Sequence, residues 1–276
     1  MGDEEIRKGV RKGYAKIAKE GLGCGCASSD CDSSSAHDEI SKKIGYTEDE
    51  LKSIPQGSNM GLGCGNPVAL ASLREGETVI DLGSGGGVDC FLAARKVGAR
   101  GRVIGIDMTP EMIDKARENA RKSNHSNVEF RLGEIENLPV ADNTADAIIS
   151  NCVINLTPNK KKVFEEAFRV LKPNGRLMVS DIVLLKELPE IIKKNVQAYI
   201  GCVAGAEMKN KYLGIIEDAG FQEVKVIEES LFPSEYAIND PTAQKIIKDS
   251  KMPAKKIKEM TSTIASIKVS ALKPNV

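Results

Sequence analysis

An aspartate, a run of glycines and a set of scattered cysteines are the residues of this chain best suited to chemistry. Residues 78–82, TVIDL, are apolar apart from Thr78 and Asp81 and open into Gly83-Ser84-Gly85-Gly86-Gly87, with Asp89 just beyond. Glycines in that pattern let a backbone turn tightly and approach a ligand that any Cβ would obstruct, so the loop reads as a nucleotide-type cradle. A second strand-like run, residues 102–106, ends at Asp107, 20 residues after Gly87, the distance at which a carboxylate holds ribose hydroxyls. A nicotinamide-type G-x-G-x-x-G would put its third glycine at Val88, whereas the order here is D-x-G-x-G-x-G; the spacing disfavours NAD.

The cysteines number seven, and their positions matter more than their count. Cys152 follows an apolar run in SNCVINLTP, Cys202 lies in the small-residue stretch GCVAGA, and Cys64 lies in the glycine-rich GLGCGNP. Cys24, Cys26 and Cys31 share one Gly/Ser-rich stretch, and Cys90 follows the glycine loop directly and reads as a small core side chain. An odd thiol set in a chain without a secretory leader fits thiol chemistry or burial better than a disulfide framework. Structural zinc at Cys24, Cys26 and Cys31 is disfavoured, because the spacing is not C-x-x-C and no histidine pair completes it.

Composition narrows the function classes. Lys+Arg and Asp+Glu are both 39 in 276 residues, which leaves no electrostatic footprint for nucleic acid. The absence of a long apolar run and the charged start MGDEEIRKGV give no membrane span or export signal, so a cytoplasmic, small-molecule enzyme is the expectation.

Several elements must position these residues. Strands are expected near 78–82, 102–106, 128–132, 145–150, 176–181, 223–227 and 264–271, with helices near 89–97, 110–122, 159–171, 188–200 and 209–219. That alternation implies a mostly parallel sheet covered on both faces. Residues 1–20 form an amphipathic helix through Ile6, Val10, Tyr14 and Ile17, residues 21–38 a Gly/Ser-rich loop, and Thr47–Glu50 a capping box whose helix stops before Pro55. A short helix is expected over 68–73, and Pro173-Asn174-Gly175 is expected as punctuation after a helix. The organisation is read as 1–60, an N-terminal helix, cysteine loop and short helix; 61–230, the cofactor-binding core; 231–262, an insertion; and 263–276, a final core strand and tail.

The D-x-G-x-G-x-G loop, the acid Asp107 and the segment Gly133-Glu134-Ile135-Glu136-Asn137-Leu138-Pro139 resemble class I S-adenosylmethionine-dependent methyltransferases. The resemblance implies a seven-stranded, Rossmann-like α/β sheet. It places Asp81, Gly83, Ser84, Gly85 and Gly87 around the cofactor, Asp107 on the ribose, Met108 against the adenine ring, Glu134 and Ile135 at its edge, and Asn151 nearby.

SNCVINL, the later cysteine before Gly205-Ala206, and the GCG before the cofactor strand resemble arsenite S-adenosylmethionine methyltransferases over roughly residues 45–225. That resemblance implies that Cys64, Cys152 and Cys202 bind arsenic, with a partner from Cys24, Cys26 or Cys31; the G-C-G-C-x4-C spacing carries over a region, not a residue. It further implies arsenite or its thiol conjugates as substrate, and glutathione or a thioredoxin-type protein as reductant. Trivalent arsenic is a soft centre that three thiolates hold with its lone pair outward, and that pair attacks a sulfonium methyl without a general base. The only histidines, His37 and His125, lie in polar segments away from the expected rim. The rival readings are another small-molecule methyltransferase, for instance of quinone precursors, with packed cysteines, and a non-catalytic metalloid-binding protein.

Overall fold

The expected strands assemble into one seven-stranded sheet in order β3-β2-β1-β4-β5-β7-β6, in a computed structural model that describes residues 2–20, 33–193, 199, 202–231, 259 and 262–275. The strands are β1 (Thr78–Leu82), β2 (Arg102–Asp107), β3 (Val128–Leu132), β4 (Ala145–Asn151), β5 (Leu171–Leu184), β6 (Gln222–Leu231) and β7 (Ile264–Leu272). β1 to β5 run parallel, and β7 inserts antiparallel between β5 and β6. This is the mostly parallel, Rossmann-like, seven-stranded sheet that the sequence led one to expect.

Alternation along the strands builds a core on each face. Ile80, Leu82 and Ile148 pack with Phe164 of α7 (Lys160–Val170) and Tyr212 of α9 (Lys209–Asp218). Val79, Ala147 and Ile149 point the other way, onto Phe91 of α5 (Val88–Val97), Ile113 of α6 (Pro110–Lys122) and Val68 of α4 (Pro67–Leu70). Strands buried on both sides need continuous apolar runs, which is what β1, β2 and β4 carry.

A third cluster caps the carboxyl ends of the strands. Ile6, Val10 and Tyr14 of α1 (Asp3–Glu20) pack there with Cys64, Cys152 and Cys202. Arg7 of the same helix reaches Glu136 at 3.1 Å, and Arg11 reaches Glu134 at 3.2 Å. The N-terminal helix therefore lies over the rim where open parallel sheets hold ligands.

Several local expectations need correction. Residues 33–38 are not loop: α2 runs Ser33–Lys43, and α3 is Glu48–Lys52. The α2 helix has no apolar stripe because polar groups seat it: Ser41 Oγ donates to Asn59 Oδ1 at 2.9 Å, and Asn59 Nδ2 donates to Asp38 Oδ1 at 2.8 Å. His37, expected in a polar segment away from the rim, is 5% exposed and packs on Gly61, where a Cβ would come within 3.1 Å of its ring. The helix expected over 68–73 ends at Leu70, before Ser72 enters the left-handed region at φ +47°. Pro173-Asn174-Gly175 does not end α7; the chain enters β5 at Leu171, and the three residues bulge within that strand as pairing with β4 slips between Ala145 and Ala147. Of the helix expected over 188–200, α8 (Glu190–Lys193) and a helical Tyr199 are described. Cys24, Cys26, Cys31 and most of 231–262 lie outside the described residues. No helix among the described residues is long and apolar enough to cross a membrane.

Candidate active site

The glycine loop takes its shape from β2. Gly83 and Ser84 donate their N–H groups to the Ile106 carbonyl, at 2.8 and 3.0 Å, and Gly85 N–H donates to Asp107 Oδ2 at 3.0 Å. Asp107 Oδ1 accepts from Thr109 N at 2.8 Å, so the carboxylate expected at the ribose also ties the two loops together. Gly83, Gly85 and Gly87 have φ of +72°, +50° and +97°, which only glycine adopts without strain. A Cβ on Gly83 would strike Val153 and one on Gly87 would come within 2.7 Å of Phe91, whereas one on Gly85 would meet nothing within 4 Å. Space above Gly85 and tight packing beneath its neighbours is the shape of a cradle.

The floor of that cradle is acidic. Asp81, 2% exposed, accepts from the Cys90 thiol at 3.2 Å, and Asp89 sits close by. Burial, then repulsion from Asp89 and Asp107, pushes Asp81 well above the usual carboxylate range. Burial raises Asp89 to about 6, although Tyr46 and Asn151 donate to it. A cation above this floor would be stabilised and an anionic pyrophosphate opposed. Ser84 Oγ is buried without a hydrogen-bond partner among the described residues, leaving a polar atom for a ligand to satisfy.

The three single-segment thiols share one buried cluster. Cys64, Cys152 and Cys202 are 8%, 8% and 6% exposed. Cys202 Sγ donates to the Cys152 carbonyl at 2.9 Å, and Cys64 Sγ lies 3.8 Å from Ser180 Oγ. Hydrogen bonding with the Cys202 and Cys64 thiols, and then burial, push the Cys152 thiol well above its ordinary value, so it rests protonated at neutral pH. Cys152 and Cys202 both hold the left-handed conformation, at φ +58° and +63°. Non-glycine residues pay for that geometry, and such strain gathers at functional positions.

Other expected site residues are placed as follows. Met108 packs against the thiol cluster. Ile135 is buried, while Glu134 faces Arg7 and Arg11 of α1. Asn151 turns its side chain to the Cys64 segment: Oδ1 accepts Cys64 N–H at 3.0 Å, and Nδ2 donates to the Gly65 carbonyl at 2.7 Å and to Tyr46 Oη at 2.9 Å.

Asp181, which sequence reasoning passed over, lies among the thiols. One carboxylate oxygen of Asp181 and the sulfurs of Cys64 and Cys152 are all within 4.8 Å of one another. Its Oδ1 accepts from Asn155 Nδ2 and Ile182 N, at 2.8 and 2.9 Å, and its Oδ2 from Tyr212 Oη at 3.1 Å. Burial raises it to about 7. Its only sequence signal is an acid inside the apolar strand MVSDIVLL.

Known proteins share this arrangement of sheet and loop. The chain is 47% identical over 235 residues to the arsenite methyltransferase of Halobacterium salinarum, covering 81% of this chain and 59% of that protein. It is 38% identical over 182 residues to the arsenite methyltransferase of Aquipseudomonas alcaligenes, covering 63% and 52% respectively. It thus spans between half and three-fifths of the length of these two relatives. The crystal structure of an arsenic(III) S-adenosylmethionine methyltransferase from Chlamydomonas reinhardtii superposes with a TM-score of 0.62 at 28% identity, covering 86% of this chain and 74% of that one. Residues 73–220, more than half of the chain and the whole of the glycine loop, match the family described as "Methyltransferase domain", and the chain belongs to that family.

Proposed function

We propose that this chain transfers a methyl group from S-adenosylmethionine to trivalent arsenic held by Cys64, Cys152 and Cys202. The observation that carries the reading is the meeting of three thiols, from three separate segments, in one buried cluster at the carboxyl ends of the strands. The relatives' names support the same acceptor.

When bound, S-adenosylmethionine supplies a methyl group on a positively charged sulfur. Gly83, Gly85 and Gly87 make room for it, Asp107 receives its ribose, Ser84 offers an unpaired hydroxyl, and Met108 with Ile135 flanks the adenine. Asp81 and Asp89 lie beneath the loop and stabilise positive charge above it. Glu134 serves the adenine edge from a position fixed by Arg7 and Arg11.

Thiols suit arsenite capture. Each Cys–SH that forms a sulfur–arsenic bond gives its proton to a departing arsenic hydroxide, which leaves as water, so three exchanges need no external base. The arsenic lone pair would then point away from the three sulfurs, towards the methyl carbon that bound S-adenosylmethionine would supply, and the carbon–sulfur bond would break to leave S-adenosylhomocysteine. Loss of that pair raises the arsenic oxidation state by two. A pair of thiols returns the two electrons and becomes a disulfide, which a thiol reductant, glutathione or a thioredoxin-type protein, reopens. Reduced thiols fit a cytoplasmic setting.

The segment with Cys24, Cys26 and Cys31 lies outside the described residues, in sequence between α1, which packs on the thiol cluster through Ile6, Val10 and Tyr14, and α2, whose His37 packs on Gly61. We assign it the capture of arsenite or a thiol conjugate before transfer to the buried trio. Unchanged arsenite affinity after C24S/C26S/C31S would remove it from the mechanism.

Methyl transfer from labelled cofactor, with arsenite present or absent and each cysteine replaced in turn, tests the whole reading. Arsenite-dependent release that Cys152→Ser abolishes, with cofactor binding intact, is the expected result. Release onto a phenolic or quinone-like carbon acceptor in C152S, and none onto arsenite in the unaltered chain, would overturn it.

A further inference from the structure

We propose that Cys64, Cys152 and Asp181 form a two-sulfur, one-oxygen site for a d10 divalent cation such as Zn2+ or Cd2+, with a donor set different from the three thiols assigned to arsenic. The inference stands whether or not arsenite is the substrate.

The convergent atoms in this conformation are the two sulfurs and a carboxylate oxygen, all within 4.8 Å of one another. Cys202 is not in that set; its Sγ donates to the Cys152 carbonyl. Tetrahedral d10 ions accept mixed sulfur and oxygen donors and complete their shell with water, whereas trivalent arsenic takes three thiolates and keeps a lone pair.

The carboxylate is set up to donate. Asn155 and the Ile182 N–H hold Oδ1, and Tyr212 holds Oδ2 through one hydrogen bond, so Oδ2 keeps a free lone pair on a side chain that cannot swing away. Donors of this kind orient ligating carboxylates in metal sites. Two thiolates and one carboxylate leave one negative charge over a divalent ion. Binding releases to solvent whatever protons the two thiols and the carboxylate carry, and no electron changes hands.

The test uses full-length C24S/C26S/C31S, in which the loop thiols cannot compete, titrated with Cd2+ and read by sulfur-to-cadmium charge-transfer absorbance. Saturation at one equivalent is expected, with loss of the band in Cys64→Ser or Cys152→Ser. Asp181→Asn is expected to weaken Cd2+ about tenfold or more while leaving the affinity for a trivalent organoarsenical unchanged. Equal Cd2+ affinity in D181N overturns the proposal. Should D181N fail to fold, X-ray absorption of the Cd2+-loaded parent decides: two sulfurs with oxygen neighbours support the site, and three or four sulfurs refute it.

Discussion

Asn151 Oδ1 accepts the backbone N–H of Cys64 at 3.0 Å, so the last residue of β4 fixes the segment that carries one thiol while its neighbour Cys152 carries another. The same amide donates to the Gly65 carbonyl at 2.7 Å, gripping the segment on both sides of the Cys64–Gly65 peptide. There is no room for slack: a Cβ on Gly63 would come within 2.8 Å of the Asn151 side chain. Tyr46 and Asp89 complete the grip, the tyrosine donating to Asp89 Oδ1 at 2.7 Å. Geometry at the thiols is thereby coupled to the helix that follows the glycine loop.

Asn151→Ala should therefore act on the thiols before the cofactor. It leaves the Cys64 N–H and the Gly65 carbonyl without their partner, at a cost of about 2 kcal/mol in a urea unfolding curve. Displacement of Cys64 is expected to lower arsenite-dependent methyl transfer about a hundredfold, with a far smaller change in cofactor affinity. Matching losses in both would assign Asn151 to the cofactor instead.

Cys202→Ser separates hydrogen bonding from soft-ion chemistry. A hydroxyl donates to the Cys152 carbonyl as a thiol does, so conformational stability should stay within about 0.5 kcal/mol of the parent. Arsenite affinity and turnover should nevertheless collapse, because oxygen replaces sulfur at one of three donors. Full arsenite affinity in C202S, measured by calorimetry, would exclude Cys202 from the donor set.

Asp89 gives stability a definite pH slope. Its folded value is about 6 against an ordinary 3.8, so between those limits the folded chain binds more protons than the unfolded one. Stability contributed by this group is complete below the lower limit and is lost as pH rises through the upper one, about 3 kcal/mol across the window. Asp81 adds to the fall, since burial, and then repulsion from Asp89, raises it as well. Urea midpoints from pH 4 to 7 should fall less steeply in Asp89→Asn; an unaltered slope would contradict the assignment.

What the sequence made legible followed from how each element is stabilised. The apolar strand β1, its acid Asp81 and the glycines after it announce themselves, because burial on two faces and left-handed turns permit few residue types. The α2 helix is silent for the opposite reason: Ser41 and Asp38 seat it through hydrogen bonds with Asn59, and His37 packs its ring on Gly61, so hydrophobic periodicity has nothing to detect. Asp181 was hidden because one acid within an apolar strand does not say what it faces; only the pairing of Asn151 with Ser180 sets it beside Cys152. The Asn151 amide was legible as a rim residue, but whether it met the cofactor or the Cys64 backbone depended on a contact 87 positions away.

Two alanine substitutions in the glycine loop should fail for different reasons. At Gly87, with φ +97°, a methyl would stand 2.7 Å from Phe91 and 2.9 Å from Phe130, both in the core, so Gly87→Ala must displace packed rings and is expected to lose stability and cofactor binding together. At Gly85, with φ +50°, a methyl meets nothing within 4 Å, and the cost to folding is backbone strain of about 1 kcal/mol. That empty space is where the cofactor is assigned, so Gly85→Ala should fold and yet bind S-adenosylmethionine at least tenfold more weakly, a loss of about 1.4 kcal/mol. Calorimetric titration beside thermal melts checks both variants. Cofactor affinity preserved in Gly85→Ala would mean that the ligand approaches the loop from another side, and the acidic floor of Asp81 and Asp89 would then need a different explanation.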